Sequence, residues 1–167
     1  MTQQLYAVAL GSNRHGRHGG PGDEVRAALR TVGGVQAVSP VMTSAAVGAS
    51  IRRYANAVAL VATDEPPPAL LARLKAIERA FGRRRGQRWG ARVIDLDIVL
   101  WSGGRWSSAG LEIPHPAFRE RGFVLAPLRL IAPDWRDPVT NYRIRHLRHR
   151  LTRPRPLPRR DGAAVGP

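Results

Sequence analysis

The spacing of hydrophobic positions over the first hundred residues predicts four strands and two helices. β-Branched and other apolar runs bounded by turn residues predict strands over 5–10, 35–42, 54–63 and 93–101. A first helix is predicted over 23–30, and leucines at three- and four-residue intervals predict a second from Pro67 to Phe81. The small and polar stretch 43–53 between the second and third strands is expected to be a mobile loop.

The order strand, helix, strand, strand, helix, strand indicates the α+β class. It predicts a ferredoxin-like plait, an antiparallel sheet packed by helices on one face, with mobile catalytic loops. Further along, the sequence predicts a short apolar segment over 123–131, a turn at Asp137-Pro138 and a last helix near 142–151. With no internal repeat and no long linker, we expect one domain over 1–152, followed by a flexible basic tail rich in proline and arginine over 153–167.

The fourth strand carries two aspartates in an otherwise apolar run. Side chains alternate along a strand, so Asp95 and Asp97 project to one face with Cα atoms roughly 6–7 Å apart. Two adjacent carboxylates repel each other and are costly to bury without a partner. They are either a structural pair bonded to arginine or backbone, or ligands for a divalent cation that also binds substrate phosphates.

The loop before this strand, 82–92, holds five arginines among three glycines and Trp89. It is either a solvated basic loop or a phosphate clamp, since guanidinium groups bind phosphate oxygens at two points. His115 stands between two prolines and is either a structural residue or a phosphate contact. On the third strand, Asn56 has the donor and acceptor that an aminopyrimidinone edge requires, and Phe123 is either a core residue or a platform for a flat ring.

The amino-acid composition bears on the cellular location and the partners of the protein. The 167 residues are 43% hydrophobic, no run approaches the roughly 18 apolar residues of a membrane helix, and no signal peptide is evident. The absence of cysteine excludes disulfides and allows a reducing cytoplasm, which is the expected location. The net charge is +15, and eight arginines lie between Arg143 and Arg160. This tail is either a solvated extension or a phosphate- or RNA-binding arm.

Several motifs together resemble those of 6-hydroxymethyl-7,8-dihydropterin pyrophosphokinases, enzymes of folate biosynthesis. The resemblance runs from about residue 5 to 137 and is carried by the segments ALGSN (9–13), YANA (54–57), AIE (76–78), RWGARVIDLDI (88–98), PHP (114–116) and RGFVLAPL (121–128). It implies a ferredoxin-like monomer that binds ATP and two Mg²⁺ ions. Such an enzyme transfers the β,γ-diphosphate of ATP to the pterin hydroxymethyl group and releases AMP.

The resemblance also implies roles for individual residues. Asp95 and Asp97 would bind both magnesium ions. Nucleotide contacts would come from Arg85, Arg88, Trp89, Ile98, His115 and Arg121, while Arg83 and Arg92 would assist transfer; the assignment within Arg83–Arg85 stays open by one residue. The pterin would be held by Ser44, Tyr54, Asn56 and Phe123.

Departures from the family pattern bear on rates and loop motion. Ser44-Ala45-Ala46 stands where the family often has Thr-Pro-Pro, Ala91 where it usually has Pro, Lys75 where Gln is frequent, and Gly110 where some members have Arg. Two other functions use the same features. An RNA-binding domain would explain the charge, but the strands lack its aromatic pairs, so nucleic acid is not the expected partner. A metal-dependent nuclease would use the same two carboxylates.

Overall fold

A five-stranded antiparallel sheet forms the centre of the molecule. The computed structural model describes residues 3–44, 54–82 and 93–154. The strands of this sheet are β1 (Gln4–Ser12), β2 (Val35–Val38), β3 (Met42–Ser44), β4 (Tyr54–Thr63) and β5 (Asp95–Trp101). They lie in the order β2-β4-β1-β5, and β3 also pairs with β4. The strand order and antiparallel pairing confirm the predicted plait.

Helices cover both faces of the sheet, and the two helices of the predicted plait share one face, as the sequence predicts. The helices are α1 (Pro21–Val32), α2 (Pro67–Ala80), α3 (Gly122–Ile131) and α4 (Ile144–Thr152). Helices α1 and α2 bury apolar residues against one face, whereas α3 and α4 bury theirs against the other. The apolar segment 123–131 is therefore a core helix, because residues on both faces of β1 and β4 need an apolar cover.

The second predicted strand is divided at Pro40, which has no N–H to donate to a sheet. Strand β2 ends at Val38, and β3 resumes at Met42 along the same edge of β4. Between them, the Ser39 hydroxyl accepts a hydrogen bond from the Val58 amide at 3.0 Å. The predicted loop 43–53 is thus corrected at Thr43 and Ser44, which belong to β3, and its remainder lies outside the described residues.

Strand β5 lies at one end of the sheet order, where a small hairpin approaches it. The hairpin consists of β6 (Trp106–Ser108) and β7 (Leu111–Ile113). Along β5 the side chains of Ile94, Leu96 and Ile98 enter the core beneath α1 and α2. The intervening positions therefore face the side of the sheet that carries α3 and α4.

An ion pair between Arg119 and Asp137 joins two connecting segments in the carboxyl-terminal part of the chain. Arg119, in a short 3₁₀ turn (Phe118–Glu120), donates from Nε and Nη2 to the two carboxylate oxygens of Asp137, each at 2.7 Å. Asp137 also accepts hydrogen bonds from Thr140 and the Val139 amide, which builds the predicted turn. In the three described ranges, no helix combines the length and apolar character needed to cross a membrane.

Candidate active site

Asp95 and Asp97 lie on the same face of β5, as the sequence predicts. Asp95 is paired in register with Gly11 and Asp97 with Ala9 of the adjacent strand β1. Both carboxylates are only partly buried. A rigid central sheet thus presents two carboxylates side by side at the edge of a solvent-accessible cleft.

A row of three residues crosses the sheet at the level of Asp95. Gly11 of β1 is opposite Asp95 on one side and opposite Asn56 of β4 on the other. Asn56 is 8% exposed, and a Cβ atom on Gly11 would lie 3.2 Å from its Oδ1. The glycine therefore leaves open space between a carboxylate and a carboxamide, and Tyr54 lies two positions along the same face of β4.

Two side chains from other elements, an imidazole and a guanidinium, approach Asp97. His115 Nε2 lies 4.0 Å from Asp97 Oδ2, and Arg121 Nη1 lies 3.8 Å from the same oxygen. These distances are too long for hydrogen bonds. They leave the three groups facing a common space, in which an anion would contact the imidazole and the guanidinium together.

The backbone around His115 fixes the orientation and the tautomer of its ring. The His115 amide donates to the Val99 carbonyl of β5 at 3.0 Å, and the Ala117 amide donates to Nδ1 at 3.2 Å. Burial lowers the pKa of His115, and Arg121 acts in the same direction, which together outweigh the opposing effect of Asp97 and Asp95. Since Nδ1 accepts a bond, the neutral ring carries its proton on Nε2, towards Asp97.

Arg121 connects this anionic centre to an exposed aromatic ring. It is the N-cap residue of α3, and its guanidinium carbon lies 5.8 Å from the ring centroid of Phe123. Phe123 is 49% exposed, whereas Val124 and Leu125, the next two residues of the helix, are buried. An exposed ring beside a cation can stack on a planar ligand, whereas a core role would have required burial.

A cavity of about 430 Å³ opens along the outer edge of β5. Its lining includes Asp97, Ile98 and His115, which are predicted site residues. It also includes residues that the sequence analysis gave no site role: Leu71, Lys75, Ser107, Ser108, Glu112 and Pro116. For Lys75 a signal existed, because Leu71 and Lys75 are four residues apart and share a helix face. The hairpin residues carry no recognisable motif.

Several predicted site residues cannot be placed. Ser44 pairs with Tyr54 through the backbone of β3, but its side chain lies outside the described part of the chain. The arginine loop also lies outside it, and with it Arg83, Arg85, Arg88, Trp89 and Arg92. The structure thus groups Asp95, Asp97, His115 and Arg121 around one cleft, with Ile98, Asn56, Tyr54 and Phe123 on its borders.

Comparisons with known proteins give a consistent result. The family model described as 7,8-dihydro-6-hydroxymethylpterin-pyrophosphokinase matches residues 7–133. Over 144 residues the chain is 40% identical to the 2-amino-4-hydroxy-6-hydroxymethyldihydropteridine pyrophosphokinase of Pseudomonas aeruginosa, a match that covers 83% of this chain and 86% of that protein. A Synechocystis protein of the same description is 42% identical over 104 residues, which cover 62% of this chain and 53% of the relative.

A crystal structure of HPPK-DHPS in complex with substrates has a TM-score of 0.70 with this structure at 12% identity, covering 90% of this chain and 45% of that one. At this identity the likeness concerns the fold alone. The match to the Synechocystis relative likewise spans about half of that protein. The family model, in contrast, matches most of the present chain and includes both aspartates, His115 and Arg121. The chain therefore belongs to the 7,8-dihydro-6-hydroxymethylpterin-pyrophosphokinase family.

Proposed function

We propose that this protein transfers diphosphate from ATP to the hydroxymethyl oxygen of 6-hydroxymethyl-7,8-dihydropterin and releases AMP. The observation that carries this function is the convergence of His115 and Arg121 on Asp97, beside the cavity along β5 that Asp97 and His115 line. Diphosphate transfer demands little covalent chemistry from the protein. It requires alignment of two substrates and neutralisation of phosphate charge, which these groups supply.

ATP is proposed to occupy the cavity with its phosphates towards Asp97. Ile98 supplies an apolar wall for the base, and Lys75 adds a cation to the lining. At the phosphate end, the Nε2–H of His115 donates a hydrogen bond, and the guanidinium of Arg121 offers a two-point contact. In the arginine loop, Arg85, Arg88 and Trp89 are proposed to contact the nucleotide.

Magnesium is proposed to bind at Asp95 and Asp97. The donor set fits this ion, since both groups are hard oxygen ligands, partly exposed, on the same face of a rigid strand. In the described ranges no cluster of three acidic or histidine side chains could hold a metal, so the remaining ligands would be phosphate oxygens and water. Two bound ions would neutralise the triphosphate and lower the pKa of the attacking hydroxyl.

The pterin is proposed to bind beyond Gly11, on the other side of the aspartates. Asn56 would recognise the aminopyrimidinone edge through its amide donor and carbonyl acceptor. Phe123 would stack on the ring, and Tyr54 and Ser44 would border the site. This arrangement is supported by the row that Asn56, Gly11 and Asp95 form across the sheet, which would bring the hydroxymethyl group and the phosphates into the same cleft.

In the proposed reaction, the hydroxymethyl oxygen attacks the β-phosphorus of ATP in line with the bridging oxygen to the α-phosphorus. The bond from the new oxygen to the β-phosphorus forms as the bridging bond breaks, and AMP leaves with the bridging oxygen. The hydroxyl proton passes to solvent or phosphate. His115 and Arg121 stabilise the charge on the transferring group, while Arg83 and Arg92 of the loop are proposed to assist at the same step.

Other expectations from the sequence remain proposals. We infer a catalytic domain over 1–152, a separate basic tail over 153–167, a monomer and a cytoplasmic location. The monomer is supported by the assembly of the site from strands and helices of one chain. Light scattering of the purified protein would test it.

The experiment that tests the function measures the nucleotide product. The purified chain is incubated with ATP, MgCl₂ and 6-hydroxymethyl-7,8-dihydropterin, and the nucleotides are separated by ion-exchange chromatography. We expect AMP in equal amount to the pterin diphosphate, and none without the pterin. Formation of ADP, or no turnover, would contradict the proposal.

A further inference from the structure

A buried carboxylate on α2 is hydrogen-bonded to the backbone of β5, the strand that carries the two aspartates. Glu78 is 1% exposed, and its Oε1 accepts a hydrogen bond of 2.8 Å from the amide of Leu96. The Nζ of Lys75 donates to the same oxygen at 2.7 Å and to the Leu96 carbonyl at 3.3 Å. Leu96 is the residue between Asp95 and Asp97, so the two side chains hold both ends of that one residue.

These hydrogen bonds to Leu96 matter for the orientation of the strand, because β5 is the last strand in the sheet order. A strand at an edge has one neighbour and turns more easily about its axis than a central strand. At Leu96 the strand is held by β1 on one side and by α2 on the other. Any rotation at Leu96 would swing Asp95 and Asp97 together, since both lie on the face opposite Leu96.

The free-energy cost of burying the Glu78 carboxylate indicates that this side chain has a specific role. Removing a carboxylate from water is costly, and an ion pair with Lys75 offsets that cost only if the geometry is good. An apolar residue at position 78 would continue the stripe formed by Leu70, Leu74 and Ile77 at no such cost. An apolar residue, however, can neither accept a hydrogen bond from the Leu96 amide nor orient Lys75 beside the cavity.

We propose that Glu78, with Lys75, is a positioning residue that fixes the common direction of the two aspartates and thereby sets the affinity for the Mg²⁺–ATP complex. The inference rests on the proposed function, and it assigns Glu78 no contact with substrate. It makes the reach of the side chain, rather than its charge, the property that matters.

Two substitutions separate reach from charge. Glu78→Gln keeps an oxygen at the same distance from the Leu96 amide but loses the charge. Glu78→Asp keeps the charge but is one methylene shorter. Val32→Ala, in the core at the carboxyl-terminal end of α1, serves as a matched destabilised control. Circular dichroism and thermal unfolding identify which variants are folded.

The first measurement is the exchange rate of the Leu96 amide proton by NMR, without metal or substrate. The second is the MgCl₂ concentration that half-saturates binding of a non-hydrolysable ATP analogue by calorimetry. We expect Glu78→Asp to raise both the exchange rate and the MgCl₂ requirement by about tenfold, the effect of one lost hydrogen bond to a charged group. Glu78→Gln and Val32→Ala should stay within about threefold of the parent protein.

Equal MgCl₂ requirements in Glu78→Asp and the parent protein would overturn the inference, as would a larger effect in Glu78→Gln than in Glu78→Asp. If Glu78→Asp does not fold, a Glu78→Gln variant with a tenfold higher requirement is sufficient to overturn it. Failure of the proposed function has a different signature. In that case the parent protein itself releases no AMP, whatever the behaviour of the Leu96 amide.

Discussion

Gly11 and Asn56 stand opposite each other on adjacent strands, with the Asn56 carboxamide 3.2 Å from the place where a Cβ on Gly11 would lie. That contact is tight enough to displace the carboxamide. We expect Gly11→Ala to raise the KM for the pterin about fivefold, since overpacking costs on the order of 1 kcal/mol or more. The KM for ATP should change little.

Steady-state kinetics with each substrate varied in turn measures this effect. Gly22→Ala is the matched control, because its added Cβ would meet only the flexible end of Arg26 at 3.3 Å. An unchanged pterin KM in Gly11→Ala would show that the open row beside Asn56 is not used by the substrate.

Asp97→Ala should abolish turnover, with a loss of at least about 100-fold in kcat/KM, because it removes a proposed metal ligand. Its folded state should be no less stable, since Asp95 and Asp97 repel each other without metal. AMP release across a range of MgCl₂ concentrations provides the measurement. Asp134→Ala removes a surface carboxylate paired with Arg143 and Arg145 and is the control. Retained activity in Asp97→Ala would exclude the metal role.

His115→Ala should raise the KM for ATP about tenfold, because the Nε2–H no longer donates to a charged phosphate oxygen. His115→Gln retains an N–H donor at a comparable reach and should recover part of the loss. Exposed His146 on α4 provides a control substitution that leaves the kinetics unchanged. Equal KM values in the alanine and glutamine variants would show that the donor is not what matters.

Phe123→Ala should weaken pterin binding by about tenfold or more, the effect of losing one stacking contact. Because the ring is half exposed, the free energy of unfolding should change by no more than about 0.5 kcal/mol. Fluorescence titration with the pterin and urea unfolding supply the two measurements. Leu130→Ala, on an equally exposed position of the same helix, should affect neither. A large loss of stability without weaker binding would assign Phe123 to the core.

Asp137→Asn should reduce stability in a pH-dependent way. Burial raises the pKa of Asp137, but the hydrogen bonds from Arg119, Thr140 and the Val139 amide outweigh it and hold the pKa below its ordinary value. A depressed folded pKa stabilises the protein fully above the unfolded pKa of about 3.9, and this contribution is lost as the pH falls through the folded value.

We therefore expect Asp137→Asn to lower the free energy of unfolding by about 2–3 kcal/mol at pH 7. The difference from the parent protein should shrink below about pH 4. Urea unfolding at pH 7 and at pH 3 checks both statements, with exposed Asp64→Asn as the control. A difference that is the same at both pH values would mean that the carboxylate charge contributes nothing.

The alternation of β5 is local information, and so Asp95 and Asp97 were predicted on one face from the sequence. The same is true of the order of strands and helices along the chain, because each of them has its own hydrophobic period. The position of Phe123 was ambiguous at this level. A ring at the start of an apolar helix has the same sequence pattern whether it enters the core or faces a ligand, and only its exposure distinguishes the two.

Other features depend on contacts between distant segments. The apolar residues of α3 and α4 do not by themselves indicate which side of the sheet these helices cover, so their position on the second face was not predictable. The hydrogen bond between Glu78 and the Leu96 amide was likewise not predicted, although the sequence shows a carboxylate within the apolar stripe of α2. The sequence alone determined the order of strands and helices in the plait, the two aspartates and the family, because short-range periodicity and motif spacing are properties of the chain itself. The tertiary structure alone decided that His115 and Arg121 face Asp97 and that α2 holds the strand between the aspartates, because packing brings together groups that no periodicity relates.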